Sequence, residues 1–393
     1  MARTVVIVEA KRTPIGAFNG QFKNLSATTL GGNVLKNIIK NISFSIDEVI
    51  MGCVVQAGLG QNPARQAALS SGMEWNIPCS TINKVCGSGM KSVMLGVDSI
   101  LSGRNHTVLA GGMESMTNAP YLLDKARFGY KAGHYNVIDA LYNDGLEDAY
   151  TPPPSKNGKT LMGQFADATA KKYGFSRQDQ EQFAKETFQN YKQSQTFIKN
   201  EIVPISLTPD DPNPIITDEP PLKVDPLKFQ KLRPAFDKDG TVTAATSSSL
   251  ADGAAALLLM DEEEALKRNL KPLARIVAQA EHSQEAQWFT TAPVGAIQKV
   301  IQNANWSLKD VDLFEINEAF AVVPMAAMAD LGIDRSKINV FGGACTLGHP
   351  IGMSGTRIIV TLLNALKTKG LKRGIASTCI GGGEATSIAL EVY

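Results

Sequence analysis

Two kinds of hydrophobic spacing alternate along the chain. TVVIVEA (Thr4–Ala10) and HTVLAGG (His106–Gly112) are continuous apolar runs of strand length, the pattern of strands buried on both faces. Between them Met90, Val93, Met94, Val97, Ile100 and Leu101 recur at helical spacing, and Gly103 supplies a stop for that helix. A β-prone run ahead of this helix ends at Val85. From Asn118 to Ser249 the chain turns polar and broken, with TPPPSKNGK and a proline-laden stretch after Ile202 reading as loops and surface crossings. Two helices interrupt it, over 163–173 and 177–198. Alternation then resumes with ARIVAQAE, DVDLFEINEAF and INVFGGA as strands, a helix over 356–369, and the strands GIASTCIGG and ATSIALEVY. HTVLAGGMES and GIASTCIGGGEA echo each other: a strand, a glycine cluster, then Glu. This predicts a duplicated α/β unit with a loop domain inserted into the first copy.

The 393 residues are too many for one ordinary core, so two or three domains are expected. A net charge of +1 with no Lys/Arg block gives no electrostatic case for nucleic acid or an anionic membrane surface. No apolar run reaches spanning length and MARTVVIVEA reads as a first strand, not a leader, so a cytoplasmic protein is expected. The five cysteines, Cys53, Cys79, Cys86, Cys345 and Cys379, are odd in number, widely spaced and without a CxxC pair. That is neither a disulfide framework nor a zinc site, so no metal is expected and each thiol is judged by its neighbours.

Cys86 sits in KVCGSGMKS, between a strand and a helix. Backbone N–H groups at a helix N-terminus favour the thiolate, and the glycines allow a tight turn and close substrate approach, the setting of a nucleophile. The alternative is a small buried hydrophobe. Of four histidines, His349 lies in the glycine-rich GGACTLGHPIGMSGTR, where Pro350 biases it to an extended conformation at a sheet rim, and catalysis is favoured there. His106, His134 and His282 read as surface or capping residues. Cys379 in STCIGGGEATS again ends a strand, and the glycines after it leave N–H groups free for an oxyanion; the alternative is a core strand turned by Gly-Gly-Gly. In LFEINEAFAV, Asn317 and Glu318 interrupt an apolar run, either to position a water or thioester oxygen or to cap a helix. Neither GxxxxGK[ST] nor a strand-to-helix GxGxxG is present. Cys345, Cys79 and Cys53 read as packing residues.

Taken in order, QAGLGQNPARQAAL, NKVCGSGMKSV, AGGMESMTNAPY, KLRPAFDKDGTVTA, INEAFA, GGACTLGHPIGMSGTR and CIGGGEA resemble the signatures of the thiolases, specifically acetyl-CoA acetyltransferases, over nearly the whole chain. The resemblance implies an α/β fold of duplicated βαβαβαββ units forming a layered α/β/α/β/α core. Residues 1–117 and 250–270 would form the N-terminal half, 118–249 an inserted loop domain with coenzyme A and tetramer contacts, and 271–393 the C-terminal half. It implies that Cys86 accepts the acyl group, that His349 activates it, and that Cys379 is acid and base at the substrate α-carbon and leaving thiol. Asn317 would hold a water in one oxyanion hole with His349, and the N–H groups of Cys86 and Gly381 would form the second. Substrate contacts are implied at Met162, Ala244, Ser248, Phe320 and Lys228. The expected reaction is the reversible Claisen condensation of two acetyl-CoA to acetoacetyl-CoA and CoA by a homotetramer in fatty acid metabolism, with acyl-CoA as the small-molecule partner and no cofactor beyond the coenzyme A thioester substrate itself.

The chain departs from the family pattern at several places that touch substrate binding. Leu222 stands in DEPPLKVDP where a basic residue is usual, with Lys223 or Lys228 as substitutes. Leu161 replaces a frequent histidine, Gln164-Phe165-Ala166-Asp167 follows Met162–Gly163 in place of Thr-Ala-Glu, and Ala251 replaces a frequent Asn. These keep open a degradative 3-ketoacyl-CoA thiolase of broader chain length. A 3-ketoacyl synthase is disfavoured because Cys379 stands where a late histidine would be needed. A silent acyl-CoA-binding protein is disfavoured by retention of the four chemical positions. Two activated thiols in one pocket also raise the expectation of an oxidative Cys86–Cys379 link.

Overall fold

The computed structural model describes residues 3–151, 160–208 and 211–393. The loop expected at TPPPSKNGK therefore lies, beyond Thr151, outside the described residues. The strands are β1 (Val5–Arg12), β2 (Gly16–Ala17), β3 (Glu48–Gly52), β4 (Cys79–Ile82), β5 (Thr107–Ser115), β6 (Tyr121–Leu122), β7 (Ile138–Asp139), β8 (Ala251–Asp261), β9 (Ala274–Ser283), β10 (Leu313–Ile316), β11 (Arg373–Ile380) and β12 (Glu384–Val392). The helices are α1 (Ala27–Ile39), α2 (Pro63–Ser70), α3 (Ser88–Leu101), α4 (Met162–Tyr173), α5 (Arg177–Ile198), α6 (Glu262–Lys267), α7 (Ala292–Asn303), α8 (Val322–Leu331), α9 (Ala344–Leu347) and α10 (Ser354–Lys369).

Nine strands run in the order β10-β11-β12-β9-β1-β8-β5-β3-β4, and β2 pairs with β8 as a tenth. The duplication heard in the sequence is visible in this order. β5 is parallel to β3 and antiparallel to β8, which is antiparallel to β1. β11 is likewise parallel to β10 and antiparallel to β12, which is antiparallel to β9. The two echoing segments are thus β5 and β11, in equivalent places. The halves join where β1 meets β9 in a short antiparallel ladder from Val5–Ile276 to Ile7–Ala274. β5 and β8 are buried at every position, as two-sided burial requires of such apolar runs.

The helices α3 and α10 lie between the halves. α3 packs on β3, β5 and β8 and reaches β12, while α10 packs on β10 and β11 and reaches β8. Their first turns cross closely: a Cβ on Gly89 would stand 2.6 Å from Thr356 Oγ1, and one on Gly355 2.6 Å from Met90 N. Only glycine permits that approach. Both helices therefore begin at one place, directly after Cys86 and shortly after His349. α1 and α2 cover β3, β4, β5 and β8, and α7 covers β9, β11 and β12.

Two local expectations are corrected. INVFGGA forms no strand; a single bridge joins Ile338 to Phe314. Asn339, at φ +48°, gives its side chain instead, accepting from Ile316 N at 2.8 Å and donating to Ile316 O at 2.8 Å. An amide side chain so takes the role of the missing strand partner of β10. The run before the nucleophile ends as a strand at Ile82, not Val85, and Val85 has φ +46°.

Candidate active site

One cavity of about 330 Å³ is lined by Cys86, His349, Gly381, Met162, Ala244, Ser248 and Phe320 together. Cys379 and Asn317 do not line it; both are wholly buried. Lys228 lines an adjoining cavity of about 510 Å³ with Lys223 and Cys345, and the two cavities share Ala244, Ser247, Ser249 and Leu250. Leu222 is 69% exposed. His106 and His134 are exposed, and His282 is half-buried with its Nε2 3.1 Å from Gln284. Among the described residues no group of three or more His, Cys, Asp or Glu is arranged to hold a metal ion.

The nucleophile loop is held by its own short polar residues. Ser88 Oγ accepts from Lys84 N at 2.8 Å and donates to Val85 O at 2.7 Å, while Asn83 Oδ1 accepts from Val85 N at 3.0 Å. A β-branched residue at positive φ is a true outlier, and these bonds hold Val85 there. The result aims the N–H groups of Gly381 and of Cys86 itself at the Cys86 sulfur. The thiolate expected from the helix N-terminus is not the resting form. Burial outweighs these donors and pushes the Cys86 thiol up to about 11.

His349 is fixed by Ser354, which the sequence did not single out. Ser354 Oγ donates to Pro350 O at 3.0 Å, leaving its oxygen to accept from His349 Nδ1 at 2.6 Å. That tautomer leaves Nε2 as the basic nitrogen, and among the described residues Nε2 has no hydrogen-bond partner although buried. Burial, aided by the nearby Arg357 charge, lowers the imidazole to about 3. Cys86 and His349 therefore rest as a neutral thiol and neutral base.

Asn317 caps no helix: α8 begins at Val322 with Ala321 as its cap. Its Oδ1 accepts from the buried Arg357 at 3.5 Å, which leaves Nδ2 as a donor without a partner among the described residues. Ser248 donates N and Oγ to Ala319 O, each at 3.0 Å, tying the Asn317–Phe320 segment to the loop that carries Ala244. Met162 Sδ lies 3.2 Å from where a Gly381 Cβ would be. Burial, then the neighbouring Cys86, raises the Cys379 thiol well above its ordinary value, so it rests protonated.

Glu114, the glutamate after the first glycine cluster, has a role that sequence reasoning missed. Its wholly buried carboxylate accepts from Val54 N at 3.0 Å, Val55 N at 3.2 Å and Gly352 N at 2.9 Å, pinning the loop of His349 to the first half of the chain. Burial outweighs those donors and pushes Glu114 up to about 7. Glu114→Gln turns an NH₂ toward N–H donors. The expected cost is about 1–3 kcal/mol of stability, read as a fall in melting temperature. An unchanged melting temperature would contradict the clamp.

The thiolase N-terminal domain matches residues 5–263 and the thiolase C-terminal domain residues 270–392. The chain belongs to the thiolase family. It is 46% identical to a probable acetyl-CoA acetyltransferase of Dictyostelium discoideum, covering 99% of this chain and 94% of that one. It is 44% identical to an acetyl-CoA acetyltransferase of Schizosaccharomyces pombe, covering 98% of each, and 43% identical to a probable acetyl-CoA acyltransferase of Staphylococcus aureus strain COL, covering 99% of each. Among solved structures it is similar to the Acat5 thiolase from Ascaris suum in complex with coenzyme A, with TM-score 0.93 and 38% identity over 99% of this chain and all of that one.

Proposed function

We propose that this thiolase is an acetyl-CoA C-acetyltransferase, joining two acetyl-CoA into acetoacetyl-CoA and CoA and running reversibly. The observation that carries the reading is the convergence of Cys86, His349 Nε2 and the Gly381 loop on one apolar cavity. In the first half-reaction the Cys86 proton passes to His349 Nε2 as sulfur attacks the thioester carbon. Cys379 gives its proton to the departing CoA thiolate, and Cys86 holds the acetyl group. In the second half the Cys379 thiolate takes a methyl proton from a new acetyl-CoA. The carbanion attacks acetyl-Cys86, and Cys86 leaves and recovers the proton from His349. Negative charge forms on a thioester oxygen in each half. The N–H pair of Cys86 and Gly381 serves one, and Asn317 with His349 serves the other. The adjoining cavity with Lys228 and Lys223 is placed to take the coenzyme A tail; Lys228 pairs with Asp225 at 3.1 Å. Every proton is accounted for by these side chains, and the reaction involves no net oxidation or reduction.

A degradative thiolase of broader chain length is the second reading. Leu161 and Leu146 line the cavity with Ile351, an apolar wall able to face a longer acyl chain. For either chain length we propose a cytoplasmic homotetramer. Tyr121, Leu123, Phe128 and Val137 are exposed along one segment of the inserted region, as a covered face would be in an assembly. Thiolysis of acetoacetyl-CoA, 3-oxohexanoyl-CoA and longer homologues, on enzyme whose mass is measured by light scattering, tests both points. Preference for acetoacetyl-CoA by a tetramer is expected. Preference for longer chains would move the assignment to the degradative reading, and a monomer would remove the assembly. Among the described residues no helix is long and apolar enough to cross a membrane.

A further inference from the structure

The oxyanion pair is assembled from opposite ends of the chain. Cys86 N belongs to the loop entering α3, and Gly381 N to the turn between β11 and β12. That turn is Gly381-Gly382-Gly383, and Gly382 and Gly383 sit at φ +94° and +91°, where backbone freedom is greatest. A loop of this composition holds a donor in place only if something outside it fixes its ends.

We infer that a four-charge cluster behind the site, Lys84, Glu384, Glu281 and Lys91, is the clamp that sets the spacing of this oxyanion hole, with Lys84 and Glu384 as positioning residues. Lys84 lies two residues before Cys86, and Glu384 is the first residue of β12, directly after the glycines. The Lys84 ammonium donates to Glu384 across 300 positions of sequence. It also lies 3.4 Å from Glu281 on β9, which pairs with Lys91 of α3 at 2.8 Å. Ser283 Oγ donates to the other Glu384 oxygen at 3.4 Å. These carboxylates raise the Lys84 ammonium above its ordinary value despite burial, which opposes them. The loops also touch directly: a Cβ on Gly87 would stand 2.3 Å from Ile380 Cδ1. Each catalytic loop so carries one member of an ion pair, within three residues of its oxyanion donor. Isolated exposed pairs contribute little, but a half-buried network of four charges locks two loops where geometry decides the rate.

The inference rests on the thiolase reading of the site, and the experiment separates the two. Lys84→Met, Glu384→Gln, the double variant and Glu384→Asp are assayed for acetoacetyl-CoA thiolysis, with melting temperatures recorded. Each single variant is expected to lower kcat about tenfold, less than the 10²–10³-fold loss on deleting an oxyanion donor, with KM for both substrates unchanged. The double variant should be no worse than the weaker single one, because the two residues act through each other. Glu384→Asp should recover part of the rate. Single variants within twofold of wild type, additive losses in the double, or a loss explained by KM or by melting would overturn the clamp. Absence of thiolysis by the wild-type protein would instead overturn the reading of the site.

Discussion

Cys86→Ala is expected to lower thiolysis and condensation by about 10⁴–10⁶-fold, the scale on which removing a covalent nucleophile acts. The substitution deletes one sulfur from a side chain that is 9% exposed, so the fold should be retained and substrate should still bind. Among the described residues no other cysteine lines this cavity. Cys379 is wholly buried behind the cavity, and Cys345 lines only the neighbouring one. Initial rates with acetoacetyl-CoA and free CoA measure the loss; activity within a hundredfold of wild type would show that the acyl group rests elsewhere.

The second large effect separates the two thiols. Cys379→Ala is expected to slow condensation about 10²–10⁴-fold, the usual contribution of a positioned acid or base. Cys86 should still accept an acetyl group, more slowly, because the cavity, His349 Nε2 and the N–H pair remain and a thiolate can leave without the proton Cys379 would give it. What it should lose is exchange of the acetyl-CoA methyl protons with solvent deuterium, since the proposed mechanism makes the Cys379 thiolate the base that removes them. Proton exchange at the wild-type rate in this variant would assign the base to another group.

The chemistry was legible where a reactive side chain shares a glycine-rich junction with the end of a strand. Cys86, His349 and Cys379 each stand in such a stretch, and local pattern was enough to single them out. Their supports were not legible because each is a contact between remote segments. Glu114 meets Gly352 across 238 positions, and Lys84 meets Glu384 across 300. The glutamate after each glycine cluster is visible in the sequence, but nothing local names its partner, and Lys84 reads as an ordinary charge. Ser354 was closer at hand, four residues past Pro350 in the first turn of α10, but its role depends on where its hydroxyl hydrogen points. The ionisation of Cys86 differs from the expectation for a related reason: helix position is visible in sequence, and burial is not. INVFGGA has the composition of a strand, yet Asn339 satisfies Ile316 with its side chain, a substitution of side chain for backbone that hydrophobic pattern does not register.

The central claim is that Cys86 carries the acyl group, and its most direct test is the site of acetylation. The protein is incubated with acetyl-CoA, quenched in acid, and mapped by peptide mass spectrometry. One acetyl group per chain is expected, on the peptide containing Cys86, and none in Cys86→Ala. Acetylation of Cys379, or of no cysteine in an enzyme that turns over, would contradict it.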